Sequence, residues 1–416
     1  MLPKLTRRSA LAAVAATIAA PAPALVRSQS LGSGARVVVI GAGVFGAWTA
    51  EHLRRTGAKV TLLDAWGPAH ARASSGGESR MTRGAYGGDE VYTRMALDSL
   101  AEWKALSRKS ALPLFHEIGV LFFFAKAEPY LTQSVAVHRR LKLPTQQLGG
   151  AEMQRRFPQM DFTGIEVGLY EPGFGALMAR RAVQELVGHF TASGGAYEQA
   201  AVKRPSADGN RLKRIALADG RMIEGDAFVF ACGPWLPKLF PDLLGRRIFP
   251  TRQEVFFFAP EPGDRRFEPG RLPGWADFNA GDIYYGFPDL EARGFKIAHD
   301  THGPAMDPDT GDRMPSAQAL ADVRAFMARR FPTLATRPLS EARVCQYENS
   351  ANGDFLIDRH PQLRDVLLVG GGSGHGFKHG PAVGRYAAAL LAGSLAAPEA
   401  RFSLASKGEK QLRDVH

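Results

Sequence analysis

Several residues of this sequence have types and spacings suited to chemistry. Gly41-Ala42-Gly43-Val44-Phe45-Gly46 is a G-x-G-x-x-G run, with Asp64 eighteen residues past its last glycine. In such a run Gly41 permits a tight turn, Gly43 lets backbone approach a pyrophosphate, and Gly46 lets a helix pack closely on a strand. The N–H groups that open the helix, from Val44 and Phe45 onward, then meet a diphosphate, and Asp64 accepts from ribose hydroxyls. Arg80 and Arg83 are three apart; on a helix both project from one face and could clamp an anion, although an exposed pair would be merely solvated. Lys296 stands alone in the apolar run Gly294-Phe295-Lys296-Ile297, where burial would demand a hydrogen-bonded partner and exposure would not. Gly370 to Gly376 holds five glycines in seven residues, with His375 among them, more than a turn requires and enough for backbone N–H groups to approach a ligand closely. The two cysteines, Cys232 and Cys345, have no metal-ligand spacing, and no metal is expected.

Recognisable elements flank these residues. Arg36 to Ile40 is a β-branched run leading into Gly41, Ala47 to Arg55 reads as a helix stopped by Gly57, and Lys59 to Leu63 is a strand ending at Asp64. The glycine run therefore sits in the strand, turn, helix, strand context that dinucleotide binding requires. Glu90 to Lys109 predicts a helix, Ile118 to Ala125 a strand, Ala176 to Ser193 a helix opened by Gly173-Phe174-Gly175, and Asp219-Gly220 a hairpin. Ala227 to Ala231 reads as a buried strand, Gln253 to Ile297 as aromatic-rich strands, and Ser316 to Arg330 as a helix. Val366 to Val369 and Pro381 to Ala392 place a second strand, glycine turn and helix near the end of the chain. The expected fold class is α/β, a Rossmann-like domain assembled from separated segments with an inserted antiparallel-sheet domain.

At 416 residues the chain needs two domains or one with a large insertion. Its 45% hydrophobic and 22% charged content excludes disorder, coiled coil and a disulfide scaffold. A net charge of +11 would suit nucleic acid, an anionic surface or an acidic ligand, but no basic block with interleaved aromatics supports a nucleic-acid partner. Thr6-Arg7-Arg8-Ser9-Ala10-Leu11, the alanine-rich stretch from Ala10 to Ala20 and Ala22-x-Ala24 have the order of a twin-arginine export leader. That stretch is too short to span a membrane, which takes roughly 20 apolar residues. Tat-dependent export to the periplasm or medium is expected, with removal of the leader and no stable membrane anchor, and Ala22-x-Ala24 offers small-residue cleavage chemistry.

Four blocks together resemble a family: Gly41 to Asp64; Ser74-Ser75-Gly76-Gly77-Glu78-Ser79-Arg80-Met81-Thr82-Arg83-Gly84-Ala85-Tyr86, matching S-x-x-G-x-[ST]-R-x-x-R-x-x-Y; Tyr284-Tyr285-Gly286-Phe287-Pro288 with Gly294-Phe295-Lys296; and Arg343-Val344-Cys345-Gln346-Tyr347 with Gly372-Ser373-Gly374-His375-Gly376-Phe377-Lys378. From Arg36 to the C-terminal helix the chain is similar to the flavin-dependent amine oxidases that include monomeric sarcosine oxidase, N-methyltryptophan oxidase and pipecolate oxidase, within the D-amino acid oxidase-like superfamily. The resemblance implies FAD bound by Gly41, Gly43, Val44, Phe45, Gly46, Asp64, Ser75, Arg80, Gly374, His375, Gly376 and Lys378, and joined covalently through Cys345 to the flavin 8α-methyl group. Cys232 has no such match and is expected to be structural. Arg83 and Lys378 would hold a substrate carboxylate, with Tyr285 lining the pocket and also expected among the catalytic residues. Arg80 would stand by the flavin ring and Lys296 would help activate oxygen. The implied domains are an export leader and linker over 1–30, an FAD-binding domain over 35–115, 172–245 and 340–400, and a substrate domain over 116–171 and 246–339.

Two positions depart from that pattern. A family histidine is replaced by Gly76, and the histidine four residues past the lysine is replaced by Asp300, with His299 one position earlier and so facing the opposite way on a strand. Asp300 is thus a further substrate-binding candidate, favouring a larger or more cationic amine than sarcosine. The function implied is oxidation of the C–N bond of an amino acid or an N-methyl or secondary amino acid by hydride transfer to FAD, with molecular oxygen reduced to hydrogen peroxide by a monomer. The alternative is an amino acid dehydrogenase of the same fold that serves a respiratory acceptor. A tRNA-modifying flavoprotein and a non-catalytic binding protein are the more distant rivals.

Overall fold

The computed structural model describes residues 31–279 and 282–412, so the leader expected over 1–30 lies outside the described residues. Val37 to Ile40 alternate sides as a strand must. Val37 and Val39 join one buried cluster with Val44, Trp48 and Val383, while Val38 and Ile40 join another with Phe228, Phe230 and Leu368. A strand apolar on both faces belongs inside a layered α/β sheet, and Arg36–Ile40 is an interior strand of a six-stranded sheet. Its order is Leu356–Arg359, Val366–Gly370, Ala227–Phe230, Arg36–Ile40, Lys59–Asp64, Ala196–Gln199. All pairs are parallel except the first. The helices Val44–Arg55 and Gly380–Ala392 pack against each other at one face, where a Cβ at Gly384 would stand 2.6 Å from Trp48 backbone.

A second, eight-stranded sheet runs Leu339–Ser350, Ile248–Phe258, Phe295–Asp300, Asp282–Phe287, Gly274–Asn279, Val120–Phe124, Val167–Glu171, Gln146–Gly149. It is antiparallel apart from the pair formed by Gly274–Asn279 and Val120–Phe124. Phe256, Phe258, Phe295 and Ile297 cover one face and pack on Val323, Phe326 and Met327 of the helix Ala317–Arg330. The other face is left for the site. The strand Leu339–Ser350 pairs along its length with Ile248–Phe258 and so builds this sheet rather than the six-stranded one.

Two local expectations are corrected. Ala176–Met178 is a strand, and the helix starts at Ala179. Those three residues pair with Ser79–Met81 on one side and Phe115–His116 on the other, and such two-sided pairing overrides helical propensity. Arg80 is therefore on a strand, and the arginine pair does not share a helix face. Arg80 lies within the strand Ser79–Met81 and Arg83 beyond its end, yet both line one pocket described below.

Candidate functional site

A cleft of about 390 Å³ runs along the carboxyl ends of the parallel strands, where α/β sheets bind ligands. Gly41, Gly43, Val44, Phe45, Asp64, Ser75, Arg80, Gly374 and Gly376 line it. Gly41 has φ of 104°, and a Cβ there would lie 2.3 Å from the Ala231 carbonyl oxygen. At Gly46 a Cβ would lie 1.8 Å from the Gly41 oxygen, so that glycine closes the helix onto the turn. Gly43 differs: its nearest neighbour would be Ser75 Oγ at 3.5 Å, which leaves its backbone open to the cleft. Val44 N–H donates to Ser75 Oγ at 3.0 Å. Asp64 accepts from the N–H groups of Ala42, Trp66 and Gly67 at 2.8 to 2.9 Å, so its carboxylate braces the turn as well as facing the cleft.

A smaller pocket of about 90 Å³ adjoins the cleft and shares with it Arg80, Tyr347, Ser373, Gly374 and Phe377. Arg83 and Lys378 line it, 9% and 6% exposed, although they lie almost three hundred residues apart in sequence. The Arg83 guanidinium stacks 4.0 Å from the Tyr86 ring centroid and donates to the Ala85 carbonyl and to Tyr130 Oη. Lys378 Nζ donates to Tyr86 Oη and the His375 carbonyl, both at 2.9 Å. Each cation is thus held in the pocket by donating to neutral oxygens. Phe122, Ala276, Phe278 and Ile283 supply apolar walls, and Tyr285, Asp300 and His375 complete the lining.

Strand parity places the remaining candidates. On Phe295–Asp300, Phe295 and Ile297 face the aromatic core while Lys296, Ala298 and Asp300 face the other way; His299 stacks on Tyr284 at 4.3 Å, on the core side. Lys296 is buried, and Nζ donates to Ser79 O at 2.8 Å and Ser79 Oγ at 3.1 Å. Burial first, and then the nearby Arg80 charge, lower its pKa to about 7. Cys345 is a buried free thiol whose sulfur meets the Arg80 guanidinium; Cys232 is also free and donates to Ile40 O. Neither Lys296 nor Cys345 lines the two cavities; both flank them behind Arg80, which is anchored on Ser74 O and Ser79 O. Gly76 has no room for the histidine of the resemblance, since a Cβ would lie 2.1 Å from His70 O.

Two residues not singled out from sequence matter here. Tyr347 lines both cavities and donates to Asp300 Oδ1 at 3.0 Å; burial, and then Asp300, push its pKa well above the usual range. Period-two spacing from Cys345 was the available signal, since i and i+2 share a face. Tyr86, the last residue of the second block, ties His379 to Lys378, with Oη 2.6 Å from His379 Nε2; no sequence spacing announces that contact. Among the described residues no group of three or more His, Cys, Asp or Glu is placed to hold a metal ion, and no helix is long and apolar enough to cross a membrane.

With this geometry in place, likeness to known proteins can be stated. A family profile described as FAD dependent oxidoreductase matches residues 36–390. Monomeric sarcosine oxidase from Bacillus sp. (strain B-0618) is 30% identical over 366 residues, which cover 84% of this chain and 90% of that protein. Monomeric sarcosine oxidase from Streptomyces avermitilis is 33% identical over 374 residues, covering 87% and 95%. Among solved structures, L-proline dehydrogenase from P. horikoshii superposes with a TM-score of 0.74 at 21% identity, covering 87% of this chain and 94% of that one, a likeness of fold.

Proposed function

The chain belongs to the FAD dependent oxidoreductase family, and from that premise we propose that it oxidises the C–N bond of an amino acid or an N-methyl or other secondary amino acid, with molecular oxygen as acceptor and hydrogen peroxide as product. The cleft fits FAD on its own terms: the turn is closed by contact at Gly41 and Gly46 but open at Gly43, and the cleft continues past Ser75 and Arg80 to the Gly370–Gly376 turn. Bound FAD supplies a two-electron acceptor for the C–H bond beside the substrate nitrogen.

The rest falls to the chain. Arg83 and Lys378 hold the carboxylate and so fix the orientation of the amine-bearing carbon, which supplies much of the rate advantage of such a site. The apolar walls exclude water and strengthen that charge pairing. Tyr285 and Asp300 border the amine end, and Asp300, steadied by Tyr347, favours a cationic substituent on the substrate. Arg80 keeps a permanent positive charge where the two cavities meet, and Lys296 stands behind it to stabilise charge developing on oxygen. We assign Cys345 as the covalent attachment point of FAD, on the place it holds in the fourth block of the resemblance and on its burial as a free thiol beside Arg80. The reading includes Tat-dependent export to the periplasm or medium and action as a monomer.

The observation that carries this reading is the pair of buried cations in a small pocket opening onto the nucleotide cleft. The test is a panel of amino acids, their N-methyl derivatives and the matching decarboxylated amines, mixed anaerobically with the enzyme while flavin absorbance is followed. Amino acids should bleach the flavin, and admission of air should consume oxygen and release one peroxide per turnover. If no amino acid bleaches it, the substrate class is wrong; bleaching without oxygen uptake would favour the dehydrogenase alternative.

A further inference from the structure

Glu348 lines the nucleotide cleft, 6% exposed, three residues past Cys345, and the catalytic reading gives it no part. Its Oε1 accepts from Gly371 N–H at 2.6 Å, and its backbone carbonyl accepts from Ser373 N–H at 2.9 Å. The side chain is thereby locked to the glycine-rich turn. Glycine is what makes room for it, since a Cβ at Gly370 would lie 2.2 Å from Oε1 and one at Gly233 3.4 Å from Oε2. Among the described residues no donor meets Oε2 and no cation is ion-paired to the carboxyl. A carboxylate so placed would add negative charge to a cleft that must accept a dianionic diphosphate, with one N–H to offset it.

We propose that Glu348 holds FAD as a neutral carboxylic acid, Oε2–H donating to an oxygen of the dinucleotide, so that noncovalent binding of FAD requires the proton on this side chain. The inference rests on FAD occupying the cleft and goes beyond it in making cofactor binding proton-linked. Burial without a cation raises the carboxyl pKa to about 8, against the opposing pull of Gly371 N–H. The acid is thus mostly protonated at neutral pH before any ligand arrives, and a neighbouring diphosphate would raise it further. Around it stand Cys232, whose thiol burial pushes well above the usual range, Tyr347, likewise raised, and Asp64 with its three N–H donors. His70, lowered by burial, Arg80, and Lys238 paired with Asp307 and Asp309, line the rest of the cleft.

The experiment uses FAD-free Cys345→Ser protein, so that binding is reversible, with affinity read from flavin fluorescence between pH 6.5 and pH 9.5. Affinity should be level near pH 7 and fall about tenfold per pH unit once the pH passes about 8. In the same protein an indicator dye should record uptake of close to one proton per FAD bound at pH 9, a measurement that needs no change at position 348. Adding Glu348→Gln, whose amide can still accept from Gly371 and donate to the ligand, should keep the neutral-pH affinity and abolish the slope, whereas Glu348→Ala should bind more weakly at every pH. A level profile without proton uptake, or a slope that survives Glu348→Gln, overturns the proposal while leaving the cleft an FAD site. Failure to bind FAD at any pH overturns both.

Discussion

Arg83 and Lys378 show how individual residues are prepared for a charged ligand. Both are buried, and both donate to neutral oxygens that hold them in the pocket. Loss of one partner from a buried charge-assisted contact costs about 2–5 kcal/mol. Arg83→Ala or Lys378→Ala should accordingly lower kcat/KM for an amino acid by roughly thirtyfold or more, and affect the matching decarboxylated amine far less. Equal losses for both compounds would remove the clamp assignment. Cys345 makes a second prediction. If it carries the flavin, acid-precipitated enzyme should form a yellow pellet, and Cys345→Ser should pass the colour to the supernatant; freely extractable flavin in the unaltered protein would exclude the bond. Asp300 makes a third, that Asp300→Asn should erase a preference for cationic substituents while neutral substrates still turn over. An unchanged substrate ranking would put Asp300 outside the recognition chemistry.

At the scale of elements, strand parity and glycine contacts do the positioning. Lys296 and Asp300 share a face because they are four apart on one strand, and Cys345 and Tyr347 are two apart on the edge strand Leu339–Ser350. The nucleotide turn depends on contact, not flexibility alone: at Gly46 any Cβ would meet the Gly41 carbonyl oxygen at 1.8 Å. Gly46→Ala must therefore push the helix Val44–Arg55 off its strand, an overpacking cost of about 1–3 kcal/mol. We expect a lowered Tm and less FAD incorporated, read by calorimetry and by the flavin content of the purified protein. Gly149→Ala, at φ of −75° with nothing within 4 Å of the new Cβ, should change neither. Equal behaviour of the two variants would show that the close approach at Gly46 is not what holds the turn.

For the whole molecule, the site exists only where two sheets meet, with Arg83 and Lys378 delivered from opposite ends of the chain and Lys296 from the eight-stranded sheet. Such an assembly would have to be folded and loaded with FAD in the cytoplasm before a twin-arginine pathway exports it. Replacing Arg7 and Arg8 by lysine should therefore leave flavin-loaded enzyme inside the cell, as seen by fractionation, and undiminished export of that variant would show the pair to be incidental. The nucleotide turn could be read from sequence because its physics is local: a glycine run between β-branched strands allows one backbone path, and Asp64 follows at the end of the next strand. Strand faces were equally legible, since alternation is a property of the strand itself, and so His299 and Asp300 could be told apart. The helix expected at Ala176 and the shared helix face expected of Arg80 and Arg83 were not, because pairing with distant strands decided both. Nor could sequence alone bring Tyr347 to Asp300, Tyr86 to Lys378 or Glu348 to Gly371. Those contacts join segments far apart in sequence that only the tertiary fold brings within hydrogen-bonding distance, Tyr347 and Asp300 across one intervening strand of the eight-stranded sheet and the others across loops and the two sheets, and the charge state of each buried group depends on that fold.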